Sequence, residues 1–231
     1  LSITIIEDIE IQIGRTGTLS PVAKLKPVNI GGVIVSSATL HNRDFIKGLD
    51  NKGNKIRNGA DIRKGDWVTV YRAGDVIPKI KDVDISKRNL TSKPFVFPDF
   101  CPSCGARVKV DKTDSAIRCY NFQNCDAQVI AGLKHFVSKN AFNIEGLGDK
   151  LILMLFKEKI INDFSDIFKI YKYKELLEKR EGLGKLSVSN LLNSIESKKR
   201  IPLDKLIYAL GIKQIGENNA KLLALNYNSF E

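Results

Sequence analysis

Four cysteines, Cys101, Cys104, Cys119 and Cys125, stand in the pattern C-x2-C-x14-C-x5-C, and none occurs elsewhere in the 231 residues. Thiolates are soft metal ligands, and two of them separated by two residues can face one ion from a single tight turn. In Cys101-Pro102-Ser103-Cys104-Gly105 the glycine supplies the backbone freedom that such a knuckle needs. Four thiolates complete a tetrahedron around zinc and leave no position for water, so the chemistry read here is structural, not catalytic. A module of about 30 residues is too small to build its own core, and a metal supplies the missing stabilisation. Two disulfides would need an oxidising compartment, and a redox pair would prefer a thioredoxin-like setting that the sequence lacks. An iron–sulfur cluster also takes four thiolates and stays open on spacing alone. His41 and His135 lie outside the cluster and are not needed as ligands.

A second chemistry is carried by glycines. Ile144-Glu145-Gly146-Leu147-Gly148, Arg180-Glu181-Gly182-Leu183-Gly184 and Gly211-Ile212-Lys213-Gln214-Ile215-Gly216 each precede a one-sided apolar helix, and their last glycines are 36 and 32 residues apart. That is a weak internal repeat of helix, glycine turn, helix. Without a Cβ, such a turn can expose successive backbone N–H groups beside the positive end of the next helix, which suits a phosphate of any base sequence. The candidate contacts are Gly146, Gly148, Lys150, Gly182, Gly184, Lys185 and Gly216, with Lys213 nearby. One Gly-x-Gly alone would read as a helix cap; three in register in a basic chain favour nucleic acid. The second hairpin opens on Arg180 instead of an apolar residue. The third has Gln214 in place of glycine, which makes it the weakest phosphate candidate.

A third cluster couples arginine to glycine turns, in Gly14-Arg15-Thr16-Gly17-Thr18 and in Tyr71-Arg72-Ala73-Gly74-Asp75-Val76-Ile77-Pro78-Lys79. Guanidinium gives planar, bidentate phosphate contacts that an ammonium does not. Arg15 and Arg72 are therefore candidate DNA contacts, and Lys79 adds a further positive charge as a third candidate. Asp75 either orients Arg72 or makes a turn. Trp67 reads as core, and His41-Asn42 either caps a helix or touches DNA.

These groups need elements to place them. Residues 1–85 read as β structure: Ile9, Ile11 and Ile13 alternate with polar partners, and Val33–Val35, Trp67–Tyr71 and Ile77, Ile80, Val83 follow glycine turns, as in a small barrel. A short helix is expected near Ala38 to Ile46. Residues 86–100, with Pro94 and Pro98, read as a linker. From Gln128 the period becomes helical: Val188, Leu191, Leu192 and Ile195 share one face, as do Ala220, Leu223, Ala224 and Tyr227. Lys198-Lys199-Arg200 closes the first of these helices and Pro202 opens the next.

Bulk properties agree with a soluble nucleic-acid binder. The chain is 43% hydrophobic and 27% charged with a net charge of +11. Residues 1–94 hold 16 basic and 10 acidic side chains, 95–130 hold 4 and 4, and 131–231 hold 17 and 12. The excess therefore sits on both sides of the cysteines, where a polyanion would be met. No apolar run nears the roughly 18 residues of a membrane span, and no signal peptide is evident. The sequence opens without Met inside a strand-like pattern, which reads as a segment of something longer.

Together these residues resemble the bacterial NAD-dependent DNA ligases. Gly14-Arg15-Thr16-Gly17, Thr18-Leu19-Ser20-Pro21-Val22-Ala23, Ala38-Thr39-Leu40-His41-Asn42 and Arg72-Ala73-Gly74-Asp75-Val76-Ile77-Pro78 are similar to that family's barrel. Phe97-Pro98 leading into the first cysteine pair resembles its zinc module. Gly132-Leu133-Lys134-His135-Phe136-Val137-Ser138 and Tyr208-Ala209-Leu210-Gly211-Ile212 resemble its helical domain. The resemblance implies a multidomain arrangement: an OB-fold barrel (1–88), a linker with a four-cysteine zinc module (89–130) and an all-α helix–hairpin–helix domain (131–231). It further implies a monomeric, cytoplasmic, nucleoid-associated partner of nicked double-stranded DNA, with no membrane. The parent enzyme would use NAD and magnesium to seal nicks in replication and repair. The family's Lys-x-Asp-Gly nucleotidyltransferase motif is absent from this sequence; Lys109-Val110-Asp111-Lys112 comes nearest and lacks the glycine. No catalytic residue is assigned, and the segment is expected to be inactive alone. A non-catalytic zinc-containing DNA-binding or repair scaffold is the alternative, with an RNA-binding protein less favoured because no arginine-rich tail or exposed aromatic motif is evident.

Overall fold

Apolar alternation organises the first half of the chain. In the computed structural model, which describes residues 1–72, 77–111 and 116–227, five strands close a barrel in the order β1-β2-β3-β5-β4. They are β1 (Ser2–Ile13), β2 (Leu19–Ile30), β3 (Val33–Thr39), β4 (Trp67–Tyr71) and β5 (Lys79–Asp84). Neighbours run antiparallel except β3 and β5, which meet in parallel at Thr39 and Lys79. Ile6, Ala23, Leu25, Val35, Val68 and Ile80 fill the interior.

The alternation is not continuous. Thr4 and Ile6 face inward on β1, yet Ile9, Ile11 and Ile13 carry the half-buried phase further along. A register shift between Ile6 and Asp8 accounts for this, because one extra residue in a strand flips every later side chain to the other face. β4 buries Val68 and Val70 and turns Trp67 outward, 36% exposed, with Lys87 Nζ 5.4 Å from its ring centre. The expectation that Trp67 is core is corrected: strand phase, set by the two valines, outweighs the indole's hydrophobicity.

The helix expected over residues 38–46 is also shorter than its pattern. Ala38 is buried against the barrel and pairs with Ala23, so it belongs to β3. Helix α1 (Arg43–Ile46) begins only after Asn42, whose side chain accepts the Phe45 N–H at 2.8 Å. Sheet pairing overrides local helix propensity here. Ile77 lies outside β5 and is exposed.

Residues 86–100 lack regular structure beyond the short turn Ile85–Lys87, but they are pinned to the barrel. Arg88 donates to both carboxylate oxygens of Asp66, which is 0% exposed, and to Asp61 Oδ1 at 2.6 Å. Arg63 donates to Ser92 O at 2.7 Å, and Phe95 packs on the barrel core. These contacts hold the stretch read as a linker against the barrel.

The chain divides into two compact units, Leu1–Asn121 and Phe122–Glu231. The second is helical: α2 (Asp126–Val137), α3 (Asp149–Lys157), α4 (Phe164–Ile167), α5 (Lys174–Glu178), α6 (Lys185–Ser197), α7 (Leu203–Ala209) and α8 (Glu217–Asn226). Phe136 stacks on Phe142 and Phe164 with ring centres 4.1 and 4.6 Å apart. Around them Leu133, Ile152, Leu155, Ile161, Ile167 and Leu177 are fully buried. His135 Nε2 lies 2.8 Å from the Tyr208 carbonyl oxygen, tying α2 to α7. Val188, Leu191 and Ile195 bury one face of α6 as their spacing predicts, and Pro202 precedes α7. Among the described residues no helix is long and apolar enough to cross a membrane.

Candidate functional site

The first cysteine pair sits on a turn built by its own backbone. Gly105 N donates to Cys101 O and Cys101 N to Ala106 O, each at 2.8 Å, and Gly105 takes φ +69. That left-handed geometry is the one glycine adopts freely. Cys119 follows β7 (Ile117–Arg118), which pairs with β6 (Lys109–Val110), and Cys125 precedes the first turn of α2. The four Sγ atoms lie within 4.8 Å of one another, with Cys104 and Cys119 3.6 Å apart.

That spacing fits one tetrahedral ion. Zinc–sulfur bonds of about 2.3 Å place the sulfurs about 3.8 Å apart. A disulfide would need about 2.05 Å, far shorter than the 3.6 Å between Cys104 and Cys119. An iron–sulfur cluster carries a polyatomic core between its thiolates, for which this cage is too tight. Burial pushes the Cys104 thiol up, but the Ala106 N–H and the Asn121 amide outweigh it and bring it down to about 7. Burial, with the sulfurs of Cys104 and Cys101 alongside, pushes Cys119 up to about 12. Thiols this close ionise together only when a cation offsets their charge, which a divalent ion does.

The barrel candidates lie at strand ends. The β1–β2 register ends at Ile13 and Leu19, Leu40 N donates to Pro21 O, β3 meets β5 at Thr39 and Lys79, and Lys79 pairs with Tyr71. These pairings set His41 just past the end of β3 and Arg72 and Lys79 at the β4–β5 end, while Arg15 lies in the turn between β1 and β2. Arg15 and Arg72 are half-buried and each has interaction partners, so neither is a loose surface cation. His41 sits at φ +56; burial and the charge of Lys79 hold its imidazole below the usual value. Gly74 and Asp75, with the rest of 73–76, lie outside the described residues.

The three glycine hairpins prove alike in backbone. The residue two before each helix-capping glycine is left-handed: Gly146 at φ +85, Gly182 at +79 and Gln214 at +68. Gly148, Gly184 and Gly216 then precede α3, α6 and α8 in extended conformation, with no side-chain cap. Gln214 thus holds the shape that glycine adopts in the other two. Where the first hairpin buries Ile144, the second pairs Arg180 with Glu158. All three capping glycines are exposed, as are Lys150 and Lys185.

A barrel of this order, a four-sulfur cage and repeated hairpins can be set beside known proteins. The NAD-dependent DNA ligase OB-fold domain matches residues 3–92. A DNA ligase of Cereibacter sphaeroides is 52% identical over 234 residues, covering 100% of this chain and 33% of its own length. DNA ligases of Ruegeria pomeroyi and Bartonella bacilliformis are 51% and 48% identical, each covering 100% of this chain and 32% and 34% of their own. Over its whole length the chain is thus similar to part of these DNA ligases, and residues 3–92 to the family's barrel domain. It spans about a third of the length of the curated relatives it matches.

Sequence reasoning missed several residues of this chain. Asp111 forms a buried ion pair with Arg118 at 2.9 Å. Asp66 and Arg88 form another that holds the stretch after the barrel. Their partners lie 7 and 22 residues away and share no helix or strand with them, so the periodicity of no single element relates them.

Proposed function

We propose that this chain is the DNA-gripping portion of an NAD-dependent DNA ligase, which seals nicks in duplex DNA during replication and repair. The observation that carries the reading is the common backbone of the three hairpins, each opening on an uncapped helix N-terminus in a chain of net charge +11. Such ends attract phosphate through exposed N–H groups and the helix dipole. Gly146, Gly148, Gly182, Gly184 and Gly216 offer the backbone, with Lys150 and Lys185 adding charge. Asp149 and Glu217 stand in the first turns of α3 and α8, whereas α6 has no acid there and begins with Lys185. The second hairpin is therefore the strongest phosphate site of the three.

On the barrel Arg15, Arg72 and Lys79 hold the sugar–phosphate backbone near the nick. Cys101, Cys104, Cys119 and Cys125 hold one structural zinc. The functional modules are the barrel (1–88), the linker and zinc module (89–130) and the helix–hairpin–helix domain (131–231). NAD and magnesium serve the parent enzyme's adenylation chemistry outside this segment, which is inactive alone. A nick has no two-fold symmetry to match, which favours action as a monomer, and its substrate places the protein with the bacterial nucleoid.

Binding of the chain to a nicked duplex and to the same duplex intact, over a salt series, tests this. Binding that weakens steeply with salt is the expected result, since each phosphate contact contributes about 0.9 to the log–log slope. Absence of binding to either duplex at low salt would overturn it.

A further inference from the structure

Arg118 is a cation with almost no access to water, 6% exposed, and it lies directly before the ligand Cys119. Its Nε donates to Asp111 Oδ2 at 2.9 Å, a carboxylate that is equally buried. Its Nη1 donates to the hydroxyls of Thr16 and Thr18, at 3.2 Å to the former. The backbone repeats the connection: Thr18 and Arg118 form an antiparallel bridge, and Cys119 N donates to Gly17 O at 2.9 Å. Gly17 is buried, left-handed at φ +77, and closes the turn through its N–H to Gly14 O at 2.9 Å. The turn that carries Arg15 is thus fastened by one side chain and one backbone bond to the strand that presents a metal ligand.

A buried guanidinium is costly unless its donors are all used, and leaving it half-paired costs more than never burying it. Asp111 neutralises its charge. The two threonine hydroxyls are neutral acceptors that a simple ion pair would not require, and both belong to the turn. The geometry therefore gives the turn a stake in where β7 and Cys119 stand.

We propose that Arg118 is a positioning residue that links the cysteine cage to the Gly14–Thr18 turn, so that metal binding and the order of that turn support each other. Linkage makes the effect reciprocal: whatever loosens the turn must weaken the metal by the same factor. This inference does not depend on the DNA-binding reading, because both of its readouts are taken without DNA.

The full chain carrying Thr16→Val and Thr18→Val loses the two acceptors while keeping side-chain shape. Its zinc affinity, measured by competition with a chromophoric chelator, should fall about tenfold. Arg118→Lys keeps the charge beside Asp111 but cannot span both hydroxyls, and should show a smaller loss of the same kind. In the unaltered chain, zinc removal should speed hydrogen exchange at the Gly14 and Gly17 amides while Val68 and Val70 in the barrel stay protected. Unchanged zinc affinity in the folded double threonine variant would overturn the link, as would unchanged exchange at Gly14 and Gly17 after zinc removal. Loss of protection through the whole barrel would equally count against it, since the proposal is local.

Discussion

At the scale of single residues, the two glycines of one hairpin have different jobs. Gly146 sits at φ +85, and a Cβ there would come within 3.5 Å of Leu191. Gly148 has an ordinary negative φ and open space around its missing Cβ. Gly146→Val should therefore destabilise the helical unit by about 2 kcal/mol through left-handed strain, visible as a lowered urea midpoint. Gly148→Val should leave that midpoint in place and weaken DNA binding by crowding the N–H groups; normal affinity in the folded variant would remove this hairpin from the interface. On the barrel, Arg15→Ala and Arg72→Ala should each flatten the salt dependence of nicked-DNA affinity by about one slope unit. An unaltered slope would leave both arginines with structural roles alone.

At the scale of elements, the barrel depends on ion pairs that fasten the segment after β5. Arg88→Ala would leave the Asp66 carboxylate buried without its guanidinium, held by the Arg63 N–H at 2.7 Å. Removing one member of a buried pair costs about 3–5 kcal/mol, so this variant should unfold at much lower urea than the parent. Asp61 gives the same element a pH dependence. Burial pushes its carboxyl up, but hydrogen bonds and charge from Arg63 and Arg88 outweigh that and hold it below the ordinary value. A depressed folded value means that its contribution is complete above the unfolded carboxylate range, near pH ~4. It disappears as pH falls through the lower folded value. Urea midpoints taken from about pH 6 downward should decline through that window, and Asp61→Asn should flatten the decline.

At the scale of the whole molecule, the net charge of +11 and the cysteine cage make separate predictions. Charge governs how the chain meets a polyanion and fades with salt. The cage governs whether residues 101–125 hold a shape at all, since so short a stretch has little core to fall back on. Protein prepared without chelators should contain one zinc per chain by elemental analysis. Chelation should then expose the cysteines to thiol reagents while the barrel's own core persists. A chain that carries no zinc and keeps its cysteines protected would overturn the metal assignment.

Local chemistry made much of this legible from the sequence. Cysteine spacing located the cage because a two-residue gap constrains where two thiolates point. Glycine repeats located the hairpins because left-handed turns demand little else. Three-and-four spacing marked α6, and alternation marked the strands. What the sequence could not carry were facts that depend on a partner distant in the chain. The bulge after Ile6 reversed which isoleucines face inward; strand phase turned Trp67 outward; pairing with Ala23 drew Ala38 out of the expected helix. Gln214 adopts a glycine's conformation, although its residue type gives no hint of it. Arg118 reads as one more surface cation until tertiary structure sets it against Asp111, Thr16 and Thr18, because burial and pairing belong to the folded chain and not to neighbouring residues.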